Sequence, residues 1–170
     1  MATSEHPSAR LLIVEDDPIM HELLVRVTRR AGHEPVSACT GEQALSILRL
    51  GTEEVDWLLT DIRLPGSIDG WAVGSEFTLK DPMRPVIYVS GIEEDCSRRR
   101  SMASIFLRKP VNVADLVSSF RRFSSYAEHV SMTQVSNSRS RPLVSGPFLV
   151  SNFPDLRRGP RAALLSVGPE

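Results

Sequence analysis

Short apolar runs alternate with segments of helical period from residue 10 to about residue 128. Leu11-Leu12-Ile13-Val14 is a continuous apolar run, as expected of a strand covered on both faces. Pro18 then suits the first turn of a helix, and apolar residues 19, 20, 23, 24 and 27 follow helical spacing up to a stop at Gly32. Glu34–Ala38 reads as a short strand, and Pro35 suits a sheet edge because it cannot donate to a ladder. Thr40 is a candidate N-cap for a helix over Gly41–Leu50, with Gly51 as its stop.

The second half repeats the alternation. Asp56–Thr60 reads as a strand ending at Asp61, and Leu64-Pro65-Gly66-Ser67-Ile68-Asp69-Gly70 is loop by its Pro and Gly content. Trp71–Lys80 reads as a helix, then Pro82 and Pro85 bracket the turn into a strand at 86–89. In residues 92–104 the acidic Glu93-Glu94-Asp95 precedes Arg98-Arg99-Arg100, which suits a helix dipole, but few apolar positions would dock it; a short or mobile fourth helix is expected. A strand follows at 105–108. Asn112 caps a last helix with Leu116, Val117, Phe120 and Phe123 facing inward. Five β–α units fit one parallel sheet with helices on both faces.

Past residue 130 the periodic pattern stops. Ser, Arg and Asn dominate up to Arg141, and Pro142, Pro147, Pro154, Pro160 and Pro169 interrupt the rest. The expected organisation is a short N-terminus at 1–8, a folded domain at 9–128 and a mostly disordered tail at 129–170.

Charge sharpens this division. The net charge is −1, which gives no pull toward nucleic acid or an anionic membrane. Residues 1–130 hold 15 basic and 19 acidic side chains, whereas residues 131–170 hold 5 and 2, so the tail is basic and the domain acidic. Cys39 and Cys96 lack metal or redox spacing and read as reduced thiols. Met1–Arg10 is too polar for a signal peptide, and no apolar run approaches the roughly 18 residues that span a bilayer. A cytoplasmic protein is the expectation.

The chemistry stands at the strand ends. Glu15-Asp16, Asp61, Ser90 and Lys109-Pro110 each follow their own apolar run. A parallel sheet points all those ends one way, so the groups meet at the edge where open α/β sheets bind ligands. Asp61 is a competent nucleophile toward phosphorus but is repelled by a phosphoryl donor. Mg2+ relieves that repulsion, and Glu15 and Asp16 are hard oxygen ligands suited to it. Ser90 can donate a hydrogen bond to a phosphoryl oxygen, and Lys109 can set a positive charge beside another. Taken singly, each of these is most often a solvated strand end, a turn residue or a surface charge. Their joint occurrence in order carries the argument.

Val14-Glu15-Asp16-Asp17-Pro18, Thr60-Asp61-Ile62-Arg63-Leu64-Pro65-Gly66, Val89-Ser90-Gly91 and Leu107-Arg108-Lys109-Pro110 together resemble the receiver domain of bacterial response regulators over roughly residues 9–128. The resemblance implies a flavodoxin-like, doubly wound (βα)5 fold with a five-stranded parallel sheet in the order 2-1-3-4-5. It implies that Asp61 accepts a phosphoryl group from a sensor histidine kinase or a phosphotransfer protein. Asp16 would bind Mg2+ directly and Glu15 through water, with Asp61 and the backbone carbonyl of Arg63 as further ligands. Ser90 and Phe106 occupy the two positions that switch with phosphorylation in the family. The loop Gly66–Gly70 is one residue longer than the commonest form, and the Ser90–Lys109 interval is shorter than in most receivers. Both features are similar to small stand-alone receivers of alphaproteobacteria.

The expected function is a single-domain response regulator of a phosphorelay, a monomer or weak dimer with an unidentified downstream protein partner. It would support only the phosphorylation and dephosphorylation of its own Asp61 and would not be an enzyme of metabolism. The alternative is an unphosphorylated adaptor, or pseudo-receiver, acting by protein contact alone. A DNA-binding output fits poorly in a tail interrupted by five prolines. A phosphatase with an Asp-x-Asp nucleophile is excluded because Arg63 stands where the second Asp would be.

Overall fold

The computed structural model describes residues 8–51, 53–91 and 103–136, with side chains described through Ser125. Five parallel strands form one sheet: β1 (Arg10–Val14), β2 (Glu34–Ala38), β3 (Trp57–Asp61), β4 (Val86–Ser90) and β5 (Ser104–Arg108). Their order is β2-β1-β3-β4-β5. The helices are α1 (Pro18–Arg30), α2 (Gly41–Leu50), α3 (Gly70–Thr78) and α4 (Val113–Ser136). This is the doubly wound, flavodoxin-like arrangement, with strand order reversing between β1 and β3. The expected helix between β4 and β5 falls within residues 92–102, outside the described residues.

Alternation along the strands builds two cores, because successive side chains point to opposite faces of a sheet. Leu11, Ile13, Trp57, Leu59, Ile87 and Val89 face α1 and α4, where Leu24, Val27, Leu116, Phe120 and Phe123 meet them. Leu12, Val14, Leu58, Val86 and Tyr88 face the other way, against Ala44 of α2 and Trp71, Val73 and Phe77 of α3. β2 is an edge strand, so Pro35 costs the sheet no interior hydrogen bond.

Local signals account for most helix ends. Thr40 Oγ1 accepts from Gln43 N–H at 3.1 Å, and Gly51 closes α2 in the left-handed region at φ 61°. Asn112 Oδ1 accepts from Ala114 N–H at 2.8 Å at the start of α4. α3 begins one residue before the expected Trp71, because Asp69 caps it by accepting from Ala72 N–H at 2.8 Å. α4 continues to Ser136, past the expected boundary at residue 128. No Gly or Pro stands between Pro110 and Ser136, so nothing local stops it earlier. Among the described residues, no helix is long and apolar enough to cross a membrane.

Candidate functional site

Four strands deliver the site to the carboxyl edge of the sheet, beside the point where strand order reverses. β1 ends at Val14 and hands on Glu15, which is 1% exposed, and Asp16, which is exposed. β3 ends on Asp61 and β4 on Ser90, and both side chains are buried. Lys109 follows the last residue of β5, and its N–H donates to the Ser90 carbonyl at 2.8 Å, tying two strand ends together. The Lys109–Pro110 peptide is cis.

The structure brings Glu15, Asp16, Asp61 and Lys109 into one cluster. Lys109 Nζ lies 2.5 Å from Asp61 Oδ2 and straddles the Glu15 carboxylate, 3.0 Å from Oε1 and 2.9 Å from Oε2. The other Asp61 oxygen, Oδ1, accepts from Arg63 N–H at 2.9 Å. Glu15 Oε1 also accepts from Asp17 N–H at 3.3 Å. Oxygens of Glu15, Asp16 and Asp61 all lie within 4.8 Å of one another. Three hard oxygen donors at that spacing fit a divalent cation of the magnesium or calcium class.

Burial sets the electrostatics. Burial pushes the Glu15 carboxyl above its ordinary pKa, against the opposing hydrogen bond and charge of Lys109. Burial also works against the Lys109 ammonium. Its hydrogen bonds and charge interactions with Asp61 and Glu15 outweigh that effect, and its pKa is raised. One ammonium therefore serves two buried carboxylates with a third beside them. The cluster has an excess of negative charge, which a bound cation would balance.

Ser90 and Phe106 stand on one face of the sheet. Tyr88 pairs with Phe106 in register and Ser90 with Arg108, so the two positions are two residues apart along the ladder. Phe106 is half-buried and stacks on Tyr88, with ring centroids 5.1 Å apart and planes 18° apart. Trp71 closes a three-ring layer, 4.7 Å from Tyr88 and 5.8 Å from Phe106. Trp71 is thus core rather than site lining. Desolvation holds the Tyr88 phenol at a pKa of about 12, with the Asp69 charge adding to it.

His21, on α1, meets Ser37 Oγ through Nε2 at 2.9 Å, in a groove that Glu15, Asp16 and Cys39 also line. His33, to which the sequence assigns nothing, is a buried ring at the opposite edge. It lies 4.6 Å from Trp57 and 5.4 Å from Phe120. No spacing rule marks it, since its partners lie on β3 and α4.

Comparison with known proteins gives a consistent result. The sequence model of the response regulator receiver domain matches residues 11–121. The transcriptional regulatory protein AruR of Pseudomonas aeruginosa is 31% identical over 127 residues, covering 71% of this chain and 51% of AruR. The chain thus spans about half the length of that relative. A response regulator receiver protein from Sinorhizobium medicae superposes with a TM-score of 0.65 at 25% identity, covering 69% of this chain and 95% of that one. The receiver domain of a Pseudomonas aeruginosa sensor histidine kinase, solved with magnesium in its active-site cleft, matches at TM-score 0.58 and 22% identity, covering 70% and 99%.

Proposed function

This chain belongs to the response regulator receiver family of two-component systems, and from that premise we propose that Asp61 is its phosphoacceptor. The donor is a phosphohistidine on a sensor kinase or a phosphotransfer protein. An Asp61 carboxylate oxygen forms the new P–O bond as the P–N bond breaks, and the imidazole nitrogen keeps the electron pair and takes up a proton. The observation that carries this reading is the Lys109 ammonium held between Asp61 and Glu15, with Asp16 beside them.

Each neighbour has a task in that transfer. Lys109 offsets negative charge on the incoming phosphoryl group, and Ser90 donates to one of its oxygens. Glu15, Asp16, Asp61 and the Arg63 carbonyl would hold Mg2+, which supplies the positive charge that lets a carboxylate approach a phosphoryl group. The magnesium in the related receiver cleft supports this assignment. Arg63 follows Asp61 by two residues and screens the acyl phosphate from water, which lengthens its lifetime. Ser90 and Phe106 act as the switch pair, and the phosphorylated state is read by a protein partner in the cytoplasm. Ile19 on α1 is 80% exposed and offers the donor an apolar contact. The chain turns over no metabolite; its chemistry is confined to its own aspartate.

Intact mass after incubation with Mg2+ and acetyl phosphate tests the reading. Wild type gains one phosphoryl group and Asp61→Asn gains none. Absence of the gain in folded wild type would favour an adaptor that works by contact alone.

A further inference from the structure

Glu42 has no part in the site described so far, yet it holds the loop that leaves it. It stands in the first turn of α2. Its Oε1 accepts from Ser67 N–H at 3.0 Å and from Ser67 Oγ–H at 3.1 Å, across 25 residues of sequence. Gly66, beside Ser67, has φ +98°, in the left-handed region that glycine favours. A Cβ at Gly66 would lie 2.7 Å from Glu42 Oε1, so the carboxylate rests against bare backbone. One residue earlier, a Cβ at Gly41 would overlap the Ile68 carbonyl, so the start of α2 is pressed against the same loop. Hydrogen bonds from its own N–H and from Ser67 keep the Glu42 carboxyl below its usual pKa.

The loop is anchored along its length. At its start Arg63 N–H donates to Asp61 Oδ1 at 2.9 Å. At its end Gly70 N–H donates to the Ile62 carbonyl at 2.9 Å. Glu42 holds the middle from another element. A backbone amide that orients a reacting carboxylate is only as well placed as the chain that carries it.

We propose that Glu42 is a positioning residue of the phosphoacceptor site: its grip on Gly66–Ser67 sets the Arg63 peptide, and through it Asp61 Oδ1 and the cation-facing carbonyl. This rests on the assignment of Asp61 as phosphoacceptor. The exposed Glu42 touches neither the phosphoryl position nor the acidic cluster, so its effect travels through the loop.

The test uses the full chain as wild type, Glu42→Ala, Glu42→Gln and Ser67→Ala, followed by NMR at the Ser67 and Arg63 amides, with and without added Mg2+. In Glu42→Ala the Ser67 amide exchanges faster, the Arg63 amide resonance moves, and the Mg2+ dissociation constant rises about tenfold, a usual size for losing an outer-sphere partner. The denaturation midpoint of the domain falls only slightly. Glu42→Gln keeps one accepting oxygen and recovers part of each effect, and Ser67→Ala gives a smaller version of them. The proposal is overturned if Glu42→Ala frees the Ser67 amide but leaves Arg63 and the Mg2+ constant at wild-type values, or if Ser67 stays protected. If wild type itself takes up no Mg2+, the cation assignment falls. The Arg63 resonance then decides the clamp alone.

Discussion

Each edge of the sheet gathers basic and acidic side chains, and the two edges behave differently. At the amino edge Arg10 reaches Glu34 at 3.3 Å and touches Glu53, while its backbone N–H donates to Asp56 at 2.7 Å. At the carboxyl edge Lys109 lies between Glu15 and Asp61, with Asp16 nearby. The groups are of the same kind; the solvent is not. The Glu34 and Glu53 side chains are 61% and 41% exposed, whereas those of Glu15 and Asp61 are 0% and 9%.

Water screens the first cluster, so each of its members can be lost at little cost. In the second, packed layers exclude water from Glu15 and Asp61, so those two charges depend on their neighbours. A divalent cation or a phosphoryl group added there would change that balance. Similar charges are therefore loosely coupled at one edge and tightly coupled at the other.

Removing each cation breaks the comparison most directly. Lys109→Met leaves the buried Glu15 and Asp61 carboxylates facing each other without their cation. Without Mg2+ it should lower stability by about 2–3 kcal/mol in urea titration, somewhat less than a fully buried broken pair costs. Added Mg2+ should restore part of that loss, and phosphorylation from acetyl phosphate should fall steeply in intact-mass assays. Survival of full stability would mean that the pocket is wetter than its packing implies.

Alkaline titration probes the aromatic layer and Lys109 together, because the folded chain holds both protons more tightly than the unfolded chain does. The fold favours the protonated Tyr88 phenol, so this contribution is intact below pH 10 and fades as pH rises toward about 12. The Tyr88 share of the loss should reach about 2 kcal/mol in denaturant titration and disappear in Tyr88→Phe, which leaves the Lys109 share in place. The smallest effect belongs to Arg10→Met. It should move the urea midpoint only slightly, and that shift should shrink further in high salt, unlike the change at Lys109.

Much of the architecture was legible because its signals are local. The run Leu11–Val14 needs both faces covered, and Thr40 and Asn112 cap helices by bonding backbone a few residues onward in the chain. Asp69 is an equally local cap at α3, but the Pro-Gly loop around it masked the signal. The site residues were legible for a topological reason, since the end of a parallel strand is known once the strand is known. Glu42, Trp71 and His33 were not. Their partners are Ser67, Tyr88 and Phe106, and Trp57 and Phe120, and those contacts exist only after α2 meets the loop, α3 covers β4, and α4 crosses β3.

Sequence alone determined which groups stand at the carboxyl ends of the strands, because alternating strand and helix periods leave one parallel arrangement with those ends together. Only the tertiary structure decided that Glu15 and Asp61 are buried against Lys109 while Glu34 and Glu53 stay in water. Residue order assigns charges to positions, but excluding water from them takes the packed layers on either side of the sheet.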